Sequence, residues 1–228
     1  MTKTNSTISK QLLSRLTHHV RNPFNGIIGF TDLLNSHYAN LSEADKKNYI
    51  KIVHLLSKKA LLRSENLAWW LKFYTDNLQP VTQKIDVVDL LQEEVRYFAT
   101  EFNKQNIDLL EDYVDNSMID SDKVMIQSII KNIILNIIEF TPEGDEATIK
   151  SIKQGGELQL IFTNKFTETP SEETMEFLNQ LDEQPQFDKM PGNPGLWTIH
   201  TLCNLLNIGL SITLKNNLAE VKLSLPHN

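Results

Sequence analysis

Two long stretches with a helical repeat of apolar residues, separated by a short polar turn, constrain this chain more than any other feature. From Ser9 to about Ser36, Leu12, Leu13, Leu16, Val20, Phe24, Ile27 and Leu34 stay within one stripe of a 3.6-residue helix. The polar turn His37 to Leu41 follows. Ser42-Glu43-Ala44-Asp45 then has the shape of a capping box, with Asp in place of the usual Glu. It opens a second helix through Tyr49, Ile52, Val53, Leu56, Leu62, Leu67, Trp70 and Tyr74. Helices joined by so short a turn lie antiparallel as a hairpin. A lone hairpin has little core, so two copies are expected to dimerise into a four-helix bundle.

Charge divides the chain at the same place. Residues 1–78 carry 11 Lys and Arg against five acids, a balance of +6, so the remainder of a chain with formal charge −7 carries −13. Two units are expected, 1–78 and 79–228, with the boundary near Asn77-Leu78-Gln79-Pro80, because Pro80 biases its predecessor out of the helical region. The basic unit suits an acidic protein partner; a nucleic-acid partner is not expected. An apolar fraction of 40% excludes disorder, and the single Cys203 excludes a disulfide framework. Lys131, Asn132 and Asn136 interrupt the most apolar stretch, Ile129 to Ile138, so no membrane insertion is expected. No signal peptide precedes the first helix, and the chain reads as soluble and cytoplasmic.

The polar face of the first helix carries an exposed histidine. With Leu16 at zero and about 100° per residue, the apolar stripe centres near ~30°, Arg21 falls at about 140°, Asn25 at about 180°, His18 at about 200° and Asn22 at about 240°. His18 therefore points away from the core. His19 diverges from it, so the pair does not make a two-histidine metal site. Pro23 removes the bond to the His19 carbonyl and should kink the helix at a cost of roughly 3 kcal/mol. A cost of that size beside an exposed histidine calls for a functional reason.

In the C-terminal unit, Lys84–Val87 reads as a short strand, followed by a helix from Asp89 to about Lys104 and a strand at Ile107–Leu110. Ser121 or Asp122 caps a helix running to Phe140, which ends at Thr141-Pro142-Glu143-Gly144. Ala147–Ile152 and Leu158–Thr163 pair across Gly155-Gly156. A helix over about Leu196–Leu206 and a hairpin of Leu210–Leu214 with Ala219–Leu225, turning at Asn216-Asn217, complete the chain. Helices on one face of a mixed sheet give an α+β fold class for the whole.

The run Leu16-Thr17-His18-His19-Val20-Arg21-Asn22-Pro23-Phe24-Asn25-Gly26-Ile27-Ile28-Gly29-Phe30 resembles the H-box of sensor histidine kinases, with His18 as phosphoacceptor because Arg21 and Pro23 then fall into register. Asn132-Ile-Ile-Leu-Asn136-Ile-Ile-Glu139 resembles the N-box of the same family's ATP-binding domain. The resemblance covers essentially the whole chain. It implies that Asn132 and Asn136 belong to a nucleotide site, and that Asn136 in active relatives helps hold the magnesium bridging the ATP phosphates.

Departures from the family pattern cluster at that nucleotide site. Active members carry a D-x-G-x-G loop after the next strand. This chain has Thr163-Asn164-Lys165-Phe166 there, and no glycine between Gly156 and Gly192. The second glycine-rich loop is reduced to Gly192-Asn193-Pro194-Gly195-Leu196-Trp197, in which Pro194 has no N–H for a phosphate and Trp197 fills space. Glu139 replaces the usual basic residue and adds negative charge where a triphosphate would lie. His19 stands where kinases have the acid that orients the acceptor. Asn132, Asn136, Asn164, Gly192 and Gly195 thus form a degenerate nucleotide site that binds ATP weakly or not at all.

Three functions follow from the resemblance. The leading one is a kinase-derived histidine phosphotransferase that exchanges phosphate with response-regulator receiver domains through His18, with Arg15, Arg21 and Asn25 meeting the receiver. The chain then needs no intrinsic cofactor, since the receiver brings its own magnesium. Asn22 either orients water against a phosphorylated receiver or offers its side chain to the backbone near Pro23. The second function is a divergent but active histidine kinase using ATP and magnesium, and the third a non-catalytic module that sequesters a receiver.

Overall fold

The computed structural model describes residues 10–75, 78–167, 170–181, 183 and 194–226; the side chains of residues 10–20 and 74 lie outside the described part. The chain divides into two compact units, Met1–Lys72 and Phe73–Asn228, a division inside the last turns of the second helix and ahead of Pro80.

The first unit is a helical hairpin. Helix α1 spans Lys10–His37 and runs through Pro23, a single 3-10 turn covers Tyr38–Asn40, and α2 spans Glu43–Tyr74. Ser42 caps α2 by accepting a hydrogen bond from the Asp45 backbone N–H at 3.1 Å. Its hydroxyl donates to Asp45 Oδ2 at 2.6 Å, so the shorter acid closes the box on the capping hydroxyl. Lys46 braces the turn, paired with Glu43 at 2.7 Å and set 4.2 Å over the Tyr38 ring. The hydrogen bond to Glu43 holds the Lys46 ammonium above its usual range. Across the hairpin, Phe30 and Tyr49 meet with ring centroids 5.4 Å apart. Phe24, assigned to the stripe by its spacing, is 46% exposed, which fits its place at the stripe's edge, about 80° around the helix from Leu16.

The second unit is α+β. Its elements are β1 Gln83–Asp86, α3 Val87–Lys104, β2 Asp108–Asp112, β3 Met118–Ser121, α4 Lys123–Phe140, β4 Glu146–Gln154, β5 Glu157–Lys165, α5 Glu172–Leu178, α6 Pro194–Leu205, β6 Gly209–Lys215 and β7 Leu218–Pro226. The main sheet runs β2-β4-β5-β7-β6. Strand β2 lies parallel to β4, with Asp108 opposite Glu146, and the remaining pairs are antiparallel. Strands β1 and β3 form a separate antiparallel ribbon with Ile85 opposite Ile119.

Alternation along the strands sets the core. Ala147, Ile149 and Ser151 of β4 are buried, while Thr148, Lys150 and Ile152 between them are only half-buried. Helix α4 packs beside α3 and α6 and also meets β5. Its seven buried isoleucines, Ile126, Ile129, Ile130, Ile133, Ile134, Ile137 and Ile138, anchor the layer. Each such side chain contributes about 1.5–3 kcal/mol of gross stabilisation before chain entropy is charged against it.

Several boundaries differ from the sequence reading for identifiable reasons. The Asp86 side chain accepts from the backbone N–H groups of Val88 and Asp89, so β1 ends at Asp86 and α3 begins at Val87 rather than Asp89. Of the two candidate caps for α4, Asp122 is the one used. Its Oδ1 accepts from Met125 N–H at 3.0 Å and its Oδ2 from Val81 N–H at 2.7 Å. Strand β3 and helix α5 were not expected. The β6–β7 turn is as read: Asn216 and Asn217 both adopt positive φ, 53° and 60°.

Candidate functional site

The run expected to carry the phosphoacceptor lies on α1. Arg15, His18 and His19 sit within that helix, and their side chains lie outside the described residues. The helix fixes their places: His18 stands one turn before Asn22, and Arg21 one turn before Asn25. Arg21, Asn22 and Asn25 are all exposed, while Pro23 between them is buried. One face of α1 thus presents a guanidinium and two carboxamides to solvent on the turn following His18. Phe24 and Ile28, 46% and 56% exposed, border that face. The other described histidines of the hairpin, His37 and His54, are exposed and have no comparable setting.

The residues expected to form a degenerate nucleotide site are spread over α4, β5 and α6. Asn132 is buried, and its Nδ2 donates to the Ser128 carbonyl at 2.8 Å, one turn back along its own helix. Asn136 is half-buried and Glu139 exposed. Thr141 ends the helix by donating its hydroxyl to the Ile137 carbonyl at 2.6 Å. On β5, Asn164 is buried and its Nδ2 donates to the Lys165 carbonyl at 2.8 Å. Gly195 is buried in the first turn of α6; Gly192 lies outside the described residues. Because α4 packs against both β5 and α6, the fold brings these three carriers together where helices meet the sheet.

Trp197 decides what that region can accommodate. It is 1% exposed, and its ring meets Phe73 edge-to-face at 5.5 Å and 89°. The turn that opens α6 is therefore committed to aromatic packing. The nearest described charges at the end of β5 are also engaged: Lys165 pairs with Asp145 at 2.6 Å. That hydrogen bond raises the Lys165 ammonium and lowers the Asp145 carboxyl, though the exposed setting makes the pair a weak contributor to stability. Cys203 is buried and its thiol is pushed up to about 12, so it is not a nucleophile at neutral pH. Among the described residues no cluster of His, Cys, Asp or Glu could hold a metal ion. No described helix is long and apolar enough to cross a membrane.

Sequence reasoning assigned Trp197 to space filling but missed Phe73 as its partner, because the two lie far apart in the chain and no periodicity links them. It also missed that Asp122 ties Val81 to the start of α4.

No protein-family profile matches the chain. Curated proteins similar to it in sequence include sporulation kinase C of Bacillus subtilis, 28% identical over 155 residues, which are 64% of this chain and 32% of that protein. Histidine protein kinase DivJ of Caulobacter vibrioides is 20% identical over 152 residues, 66% of this chain and 26% of that protein. Sensor protein GacS of Pseudomonas syringae pv. syringae is 26% identical over 149 residues, 61% of this chain and 15% of that protein. The chain thus spans less than a third of each of these relatives. Among solved structures, Acinetobacter baumannii histidine kinase AdeS aligns with a TM-score of 0.62 at 15% identity, over 92% of this chain and 98% of that one. Histidine kinase ThkA, in complex with response regulator protein TrrA, aligns with a TM-score of 0.62 at 19% identity, over 97% of this chain and 62% of that one. The shared architecture is a helical N-terminal part followed by a mixed-sheet α+β domain.

Proposed function

We propose that this chain, a relative of the sensor histidine kinases in sequence and fold, acts in two-component signalling as a histidine phosphotransferase. His18 accepts a phosphoryl group from one response-regulator receiver and donates it to another. The observation that carries the reading is the contrast between the two sites. The α1 face keeps Arg21, Asn22 and Asn25 exposed beyond His18, whereas Trp197 is 1% exposed where a nucleotide loop would open α6.

The residues present do not fit a bound triphosphate. The Asn132 and Asn164 amides donate to backbone carbonyls of their own elements, and Asn164 stands where the family's aspartate would read adenine. Phosphoryl exchange with a receiver does not need that site. A nitrogen of neutral His18 attacks the phosphorus of the receiver's aspartyl phosphate; the N–P bond forms as the acyl O–P bond breaks, and the aspartate leaves as carboxylate. The receiver supplies the magnesium. The +6 balance on residues 1–78 favours encounter with an acidic partner more than it tightens the complex.

The hairpin is proposed to dimerise through its apolar stripe; light scattering that gives a monomer at tens of micromolar, a working range in which an obligate dimer would be assembled, would overturn this. The test of the function itself is transfer of labelled phosphate to His18 from a phosphorylated receiver. Tight receiver binding without transfer would instead favour a sequestering module. Asn132 and Asn136, which stand in the order the family uses, favour a divergent kinase as the second reading. A calorimetric signal for Mg-ATP at micromolar affinity would support it and count against the phosphotransferase.

A further inference from the structure

His200 is used by neither site, yet it is among the most buried polar residues of the second unit, 3% exposed in the middle of α6. Its Nε2 lies 2.9 Å from the Leu181 carbonyl, in the turn that follows α5. A carbonyl only accepts, so Nε2 carries the proton. Phe177, the buried residue of α5, stands edge-on to the imidazole with centroids 5.5 Å apart. The remaining ring nitrogen, Nδ1, is buried with no hydrogen-bond partner among the described residues. Helix α5 is therefore held to α6 through one ring, by a hydrogen bond on one side and an aromatic contact on the other.

We infer that His200 is a pH-sensitive clasp that fastens α5 and its following turn to α6. In the neutral ring, Nε2–H is satisfied and Nδ1 is a buried lone pair. Protonation adds an N–H at Nδ1 in a buried position with no acceptor among the described residues, which opposes the closed arrangement. Burial accordingly pushes the His200 pKa down, against a smaller upward pull from the backbone of Leu181 and Glu183. The surrounding charges do not reverse this. Helix α5 contributes Glu172, Glu173 and Glu176, the turn Glu183, the neighbouring α4 Lys123, Lys131 and Glu139, and strand β6 Lys215; Lys131 is half-buried and the rest are exposed. Of these residues only Glu183 acts on the ring, through its backbone and not its carboxylate, and α6 itself carries no other charged side chain.

The sign follows from linkage. When α5 lifts away, the ring gains water and titrates near its ordinary value of about 6.5, whereas the closed ring stays neutral to lower pH. The closed state is favoured in full above that value and loses ground as pH falls below it. Between pH 7.5 and pH 5.5 the open population rises by up to about tenfold, the most one group titrating near 6.5 can produce over that interval.

Amide hydrogen exchange on the full chain tests this directly. After correction for intrinsic exchange rates, protection of residues 172–181 should fall by a factor of up to about ten from pH 7.5 to pH 5.5, while that of α4 stays constant. His200→Phe keeps a ring against Phe177 and should make α5 protection independent of pH. Unchanged wild-type protection, or the same pH response in His200→Phe, would overturn the clasp. If that variant fails to fold, imidazole nitrogen NMR of the wild type decides: protonation of His200 in step with α5 opening supports the clasp, and opening while His200 stays neutral refutes it.

Discussion

A β-carbon placed on Gly26 of α1 would lie 2.7 Å from Leu56 Cδ1 of α2. The two helices touch where the first has no side chain, one turn from the Phe30–Tyr49 contact that lines up the same pair. Gly29, three residues on, faces open space. The two glycines of this run therefore do different things: one admits the neighbouring helix, and the other meets no neighbour among the described residues.

Gly29→Ala should stabilise the protein by about 0.5–1 kcal/mol, the helix-propensity difference at an unobstructed position. Gly26→Ala should gain less, because Leu56 must move aside. Gly26→Leu should cost about 1–3 kcal/mol through overpacking. Urea midpoints for the three variants check this, and a Gly26→Leu protein as stable as the parent would refute the close approach.

His18→Ala should abolish phosphoryl acceptance, while His19→Ala should retain much of it, since helical spacing assigns only His18 to the polar face with Arg21 and Asn22. Label transfer from a phosphorylated receiver measures both. Equal loss in two folded variants would contradict the register assigned to the H-box.

Asn22→Ala should slow receiver dephosphorylation by roughly tenfold, about 1.4 kcal/mol in barrier, while sparing transfer to His18. Its exposure one turn past His18 is what a water-orienting carboxamide requires. The rate is read with His18 also replaced, so that back-transfer does not contribute. An unchanged rate would leave Asn22 a residue of the Pro23 turn alone.

Asp122→Ala should destabilise the C-terminal unit by about 1–2 kcal/mol, because both of its oxygens accept backbone N–H groups, Met125 in its own helix and Val81 in the segment before β1. Asp122→Asn keeps one acceptor and should cost less. Urea denaturation of both variants, followed by far-ultraviolet circular dichroism, measures the difference.

The hairpin was legible because its signals are long and repeat: many turns of apolar spacing and a capping sequence at the second start. The N-box helix was legible for the same reason. Strand β3 was not, since Met118–Ser121 is four residues long and its partner β1 lies across α3 and β2. Helix α5 is seven residues long, but Ser171 followed by Glu172 and Glu173 was a usable start signal: the Ser171 hydroxyl does accept from Thr174 N–H at 3.2 Å. At the degenerate site, spacing identified the residues but not their commitments. That Asn132 turns back on Ser128 and Trp197 leans on Phe73 depends on neighbours that no local pattern names.

The single parallel pair in the main sheet sets an order of events during synthesis. Strands β4 and β5, and β6 and β7, are joined by tight turns and can zip as soon as each second strand leaves the ribosome. Strand β2 emerges long before its only sheet neighbour β4, and must wait while β3, all of α4 and then β4 are made. Until then Leu109 and Leu110 have no partner strand, and the acids Asp108, Glu111 and Asp112 around them disfavour pairing with a second copy through like-charge repulsion.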